Sequence, residues 1–178
     1  MTKVLTLFPT HIAHKNLDLS KLIIQGKNFD KTFESGVEST LLGETLFTSE
    51  SMNYFNLQLT DLLSFLLKPY CKNFVFKMTS IWINNYKDND YQSSHVHPGH
   101  YSFILYYDVN KSNTVFNSPV KNLLETHENF QPLHYKTFEP NFKKGDIVVF
   151  PSYLEHWVKP NSNGLTIAGN IDIINLQK

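Results

Sequence analysis

The sequence predicts a mainly β protein, a sandwich or barrel, and three observations predict it. From Phe74 onward, short apolar runs separated by polar turns follow one another: Phe74–Ile83, Tyr101–Val109, Thr114–Phe116, His134–Phe138, Asp146–Phe150, His156–Val158 and Leu165–Leu176. Upstream of them a single segment carries a strong helical period. The chain has 178 residues, 41% of them hydrophobic and 14% aromatic, enough for one core, and no repeat, low-complexity tract or linker divides it. A single domain over 1–178 is the expectation, with 1–73 as helical and extended support and 74–178 as the barrel core.

In chain order, Val4-Leu5-Thr6-Leu7-Phe8 reads as a strand ended by Pro9, because proline lacks the N–H that a ladder needs. Residues 17–33 present Leu17, Leu19, Leu22, Ile23 and Phe29 in a spacing that predicts a helix. The main helix is predicted over Tyr54–Leu67. There Leu57, Leu59, Leu62, Leu63, Leu66 and Leu67 fall at helical intervals, Ser and Asn precede them as caps, and Pro69 stops the run. In the strands that follow, Phe74, Phe76, Met78, Ile81 and Ile83 read as core, as do Val148, Val149 and Phe150.

Charge and cysteine content narrow the function classes. Sixteen Lys oppose eight Asp and eight Glu, and there is no Arg. The forked guanidinium that reads phosphate and guanine is therefore missing and the charge is balanced, which argues against a nucleic-acid partner. No apolar run reaches the roughly 18 residues that cross a bilayer, and the N-terminus shows no export pattern. Cys71 is alone, so neither an internal disulfide nor a Cys-built zinc site is available. A cytoplasmic protein without a membrane partner is expected. An exposed β-edge and the leucine-rich helix offer surface for a homodimer.

The chemistry concentrates in two places. Ser93-Ser94-His95-Val96-His97-Pro98-Gly99-His100 stands directly before the strand Tyr101–Val109. In extended chain, residues i and i+2 share a face, so His95 and His97 can offer two imidazoles to one ion. Imidazole suits iron, zinc, copper and nickel alike. Lys143-Lys144-Gly145-Asp146-Ile147-Val148-Val149-Phe150-Pro151-Ser152 reads as a turn, a buried strand and a broken loop, and His156 follows as the natural third ligand. It lies 59 residues after His97, a gap that adjacent antiparallel strands of a barrel would close. Glu155 is its neighbour and faces the other way on a regular strand. Single histidines are ordinarily hydrogen-bonded or exposed, and His11, His14, His100, His127 and His134 are read so. Trp82 and Asn84 share one face of their strand, which places an Asn near the mouth. Asp90, Tyr91 and Gln92 form the loop ahead of the ligands.

These residues resemble the iron(II)- and 2-oxoglutarate-dependent oxygenases, in particular a group of small ones. The likeness rests on Trp82, on His95-Val96-His97-Pro98-Gly99, on Tyr106-Tyr107, on Gly145-Asp146, on Phe150-Pro151-Ser152, on His156 and on Asn170, with Leu7-Phe8-Pro9-Thr10 similar to the family's start. It implies a double-stranded β-helix, a cupin-like jelly-roll barrel with supporting N-terminal helices and a metal at its open mouth. It implies Fe(II) held by His95, His97 and His156, with 2-oxoglutarate as co-substrate and O2 as oxidant. Oxidative decarboxylation to succinate would then be coupled to hydroxylation of a peptide or small molecule. Tyr106 or Tyr107 would donate to the co-substrate's far carboxylate, only one of them facing inward, and Asn84, Thr166, Ser102 and Asn170 would add hydrogen bonds. Two departures stand out. The wider superfamily carries a carboxylate where this chain has His97, and an Arg where it has Gly164 or Leu165. Lys159, Lys77 and Lys111 are the candidate cations in its place. The alternatives are a non-catalytic metal- or ligand-binding module and a cupin-like enzyme that works without 2-oxoglutarate.

Overall fold

Residues 10–25, 28–29, 31–32, 35–40, 46–110, 113–122, 136–160 and 162–177 are described by the structure, a computed structural model. Two antiparallel sheets face each other. The strands are β1 (Ala13–Asn16), β2 (Lys31–Thr32), β3 (Glu38–Ser39), β4 (Asn73–Tyr86), β5 (Gln92–His95), β6 (Tyr101–Val109), β7 (Thr114–Asn117), β8 (Thr137–Phe138), β9 (Asp146–Pro151), β10 (His156–Val158) and β11 (Gly164–Gln177). The large sheet runs β1-β9-β6-β11-β4-β3-β2 and the small one β5-β10-β7-β8. The result is the jelly-roll, double-stranded β-helix architecture. The apolar runs read from the sequence are its strands, and the run 134–138 is seen as β8, its first residues lying outside the described ones. The opening segment 4–8, His127 and His134 also lie outside them.

At the centre of the large sheet, over 81–84, 102–106, 147–150 and 166–171, its four long strands are buried on both faces, which explains the continuous apolar runs there. Residue parity separates the faces. The odd-numbered Ile81, Ile83, Phe103, Leu105, Ile147, Val149, Ile167 and Ile171 pack in one cluster with Phe55, Leu59, Leu62 and Leu63 of α1, a 19-residue helix over Ser49–Leu67. The even-numbered Trp82, Ile104, Tyr106, Val148, Phe150 and Ala168 turn inward and meet Phe116 of the small sheet, whose ring lies 5.1 Å edge-on from that of Phe150. Gly169 is needed on the odd face: a Cβ there would collide with the Phe103 ring and the Ser80 carbonyl.

The helix begins at Ser49 rather than Tyr54, because Thr48 caps it by accepting from the Ser51 N–H at 3.2 Å. Leu57, counted among its apolar positions, is exposed. The helix expected over 17–33 is not formed. Asp18 instead accepts from both the N–H (3.1 Å) and the hydroxyl (2.6 Å) of Ser20, a local bond that favours a turn. Leu19–Lys21 is a single 3-10 turn, Ile24 bridges to Phe47, and 31–32 is strand. Supporting N-terminal helices thus reduce, among the described residues, to α1 and that turn, while β1, β2 and β3 extend the large sheet instead. No helix among the described residues is long and apolar enough to cross a membrane.

Candidate metal centre

Strand pairing brings the three histidines together. His156 on β10 stands opposite His95 on β5, which closes the gap of 61 residues by register alone. His97 follows two residues on, and its backbone N–H donates to the Ser152 carbonyl at 3.0 Å. The three rings have centroids 4.4 Å (His95–His156), 4.9 Å (His95–His97) and 5.1 Å (His97–His156) apart. One ligand nitrogen from each lies within 4.8 Å of the others. Trp82 of β4 supports the His97 ring at 5.5 Å, and Phe150 closes edge-on against His156 at 4.9 Å.

Two of the rings have a fixed tautomer. Nδ1 of His95 is 2.6 Å from the Ser93 carbonyl and Nδ1 of His156 is 3.0 Å from the Leu154 carbonyl. A carbonyl only accepts, so each Nδ1 carries the proton and each Nε2 keeps its lone pair for a metal. Burial pushes the pKa of His156 down to about 3, with the His95 charge adding to it and the Leu154 hydrogen bond opposing it. Burial, then the His95 charge, pushes His97 down to about 4. Both are neutral at pH 7, the state in which imidazole coordinates.

The triad forms one wall of a cavity of about 850 Å3, the size of a small-molecule site. Its floor is laid out in rows across the large sheet. Ile104, Ala168 and Trp82 stand in register, and the next inward row is Tyr106, Thr166 and Asn84. Two residues of strand separate the rows, about 7 Å. In that second row the Tyr106 hydroxyl donates to Thr114 Oγ1 of the small sheet at 2.9 Å, and Asn84, 3% exposed, holds an Oδ1 without a hydrogen-bond partner.

Of the co-substrate candidates, Tyr106, Asn84, Thr166 and Asn170 line the cavity. Asn170 accepts from Ser102 Oγ at 3.1 Å, and Ser102 in turn pairs with Ser152 at 2.8 Å. Tyr107 is on the other face. Asp108 and Tyr106 pair with the consecutive Leu165 and Thr166, which leaves Tyr107 as the extra residue of a bulge. Its hydroxyl donates to the Leu22 carbonyl at 3.3 Å. Of the candidate cations, Lys159 pairs with Glu139 at 2.6 Å, Lys77 is exposed far down β4, and Lys111 lies outside the described residues. Glu155 turns away from the triad, and Asn117 Nδ2 donates to it at 2.7 Å. Tyr86, Thr114, Ser39 and Thr40 also line the cavity. Tyr86 was legible as the next even-numbered residue after Trp82 and Asn84, and Thr114 as the inward partner of Phe116; nothing in the sequence marks Ser39 and Thr40.

Residues 80–167, which hold the triad and most of the cavity floor, match the family described as "Putative 2OG-Fe(II) oxygenase". Over that stretch, just under half of the chain, the sequence resembles the 2OG-Fe(II) oxygenases. Solved structures agree on the fold. A Pseudomonas putida prolyl-4-hydroxylase is 12% identical with a TM-score of 0.54, over 90% of this chain and 91% of that one. An oxidoreductase of the 2OG-Fe(II) oxygenase family from Burkholderia pseudomallei is 9% identical with a TM-score of 0.53, over 79% and 70%. HygX from Streptomyces hygroscopicus, crystallised with nickel and 2-oxoglutarate, is 11% identical with a TM-score of 0.51, over 94% and 85%. No curated protein matches by sequence.

Proposed function

We propose that this chain is an iron(II)- and 2-oxoglutarate-dependent oxygenase, with His95, His97 and His156 as the metal ligands. The observation that carries the reading is the pair of backbone carbonyls that fix His95 and His156 with Nε2 free, beside a third imidazole, on the wall of a ligand-sized cavity. A set of nitrogen donors of this kind suits iron and leaves positions open for other ligands. Bound there, iron and the 2-oxo acid supply the activation of O2 and the oxidation of a C–H bond.

The chain's own part is to hold, orient and shield. Ser93 and Leu154 hold two rings in their tautomer, Trp82 and Phe150 hold ring planes, and Ser152 fixes the backbone at His97. Tyr106, Thr166 and Asn84 form the row that receives the co-substrate's far end, and Asn170 sits beside the ligands on the same face. The apolar Ile104, Ala168 and Val158 keep competing water from the interior. Tyr91 and Gln92 border the cavity at its rim, where a peptide or small-molecule substrate enters.

The test is iron-dependent release of succinate from 2-oxoglutarate in the presence of O2. Turnover that requires both iron and 2-oxoglutarate, and that His156→Ala loses, supports the reading. Retention of iron with no succinate under any condition contradicts it and leaves a metal-holding barrel without this activity.

A further inference from the structure

None of the described residues that line the cavity is Asp, Glu or Lys, and the chain has no Arg. Among the described residues, Lys87 pairs with Glu38 at 2.6 Å, Lys144 with Asp108 at 2.7 Å and Lys159 with Glu139 at 2.6 Å, and none of the three lysines lines the cavity. Histidine ligands bind as neutral imidazoles, so a divalent ion on this triad keeps both positive charges. An anion drawn out of water into an uncharged cavity is costly unless a counter-charge meets it. At the distance of one strand row, a charge still acts strongly in a medium of low dielectric constant.

Building on the oxygenase reading, we propose that the ion on three neutral imidazoles is itself the counter-charge for the far carboxylate of the co-substrate, and that His97 thereby sets the charge of 2-oxo acid the cavity accepts. The row of Tyr106, Thr166 and Asn84 supplies neutral contacts alone. With three imidazoles, ion and doubly charged 2-oxoglutarate cancel. With a carboxylate at position 97 the same assembly carries one uncompensated negative charge. A ligand set without an acidic group and a described lining without a cationic side chain are then one electrostatic arrangement, and changing either alone breaks it.

The experiment is calorimetric titration of anaerobic, Fe(II)-loaded protein with two probes, 2-oxoglutarate and its 5-methyl ester, which has an uncharged far end. Metal content is measured on each sample. His97→Asp keeps a metal ligand and is expected to lower the ratio of dianion to ester affinity at least tenfold. Adding Thr166→Lys to that variant restores the ratio to within threefold of the parent, and His97→Asn leaves it unchanged. Should the carboxylate at 97 release the metal, Thr166→Glu places the added charge in the far row without touching a ligand and must lower the ratio in the same way. An unchanged ratio in the metal-loaded variants, or equal weakening of both probes, overturns the proposal. Failure of the oxygenase reading looks different: the metal-loaded parent binds neither probe.

Discussion

The two faces of the large sheet differ as sharply as two proteins would, although the same four strands make both. The odd-numbered face is dry, apolar and packed under α1: Phe55, Leu59, Leu63, Phe103, Leu105, Ile147 and Val149 are all essentially inaccessible. The even-numbered face lines a cavity, holds Asn84, Ser102, Tyr106, Thr166 and Asn170, and touches the histidines. Stability and the candidate chemistry are thus divided by residue parity rather than by segment. A one-residue slip would exchange them, so strand register is what the packed face secures for the polar one.

The largest effect is expected on the packed face. Phe103→Ala removes a ring that meets Phe55 at 5.2 Å and should destabilise the metal-free protein by about 3–5 kcal/mol, read from urea unfolding, while the folded fraction still binds one metal. Loss of metal stoichiometry in that folded fraction would break the division between faces. On the polar face, His156→Ala should weaken metal binding about a hundredfold or more, since two ligands from one short segment remain. Affinity equal to the parent's would remove the proposed site.

Acid should sharpen the same contrast. His97 and His156 are held neutral to about pH 4 and about pH 3, whereas in the unfolded chain they take up protons near 6.5. Below about pH 6.5 the unfolded state therefore binds more protons, so the stability of the metal-free protein falls as the pH drops from there toward 4 and 3. His156→Gln should flatten that fall; an identical pH dependence in parent and variant would contradict it. The smallest effects come from the adjacent tyrosines. Tyr106→Phe removes a hydroxyl from the cavity's second row and should weaken 2-oxoglutarate about tenfold. Tyr107→Phe loses one bond to Leu22 and should cost roughly 1 kcal/mol of stability with co-substrate affinity unchanged. The reverse pattern would mean that the faces have been assigned the wrong way round.

Much of this was legible in the sequence. Local pattern was enough for α1, whose leucines fall at helical intervals, and for Tyr101–Val109, whose centre is buried on both faces and reads as an unbroken apolar run. The triad was legible because His-x-His places two rings on one face. Which of Tyr106 and Tyr107 turns inward was not, since alternation gives only that they differ, and Ile104 and Leu105 before them are both apolar. The segment 17–33 misleads because Leu17 and Leu22 are buried in the cluster that holds α1 while Ile23 is exposed, and Asp18 bonds Ser20 locally. Ser39 and Thr40 reach the cavity wall through a two-residue strand, too short for any pattern to reveal.

Whether three imidazoles hold a metal open to a chelating 2-oxo acid is read from anaerobic titration of the Fe(II)-loaded protein with 2-oxoglutarate, following the visible metal-to-ligand charge-transfer absorption in the parent and in His95→Ala. A saturable band with one equivalent is expected in the parent and none in the variant. A parent that retains iron and develops no band, or a variant whose band matches the parent's, would contradict that expectation.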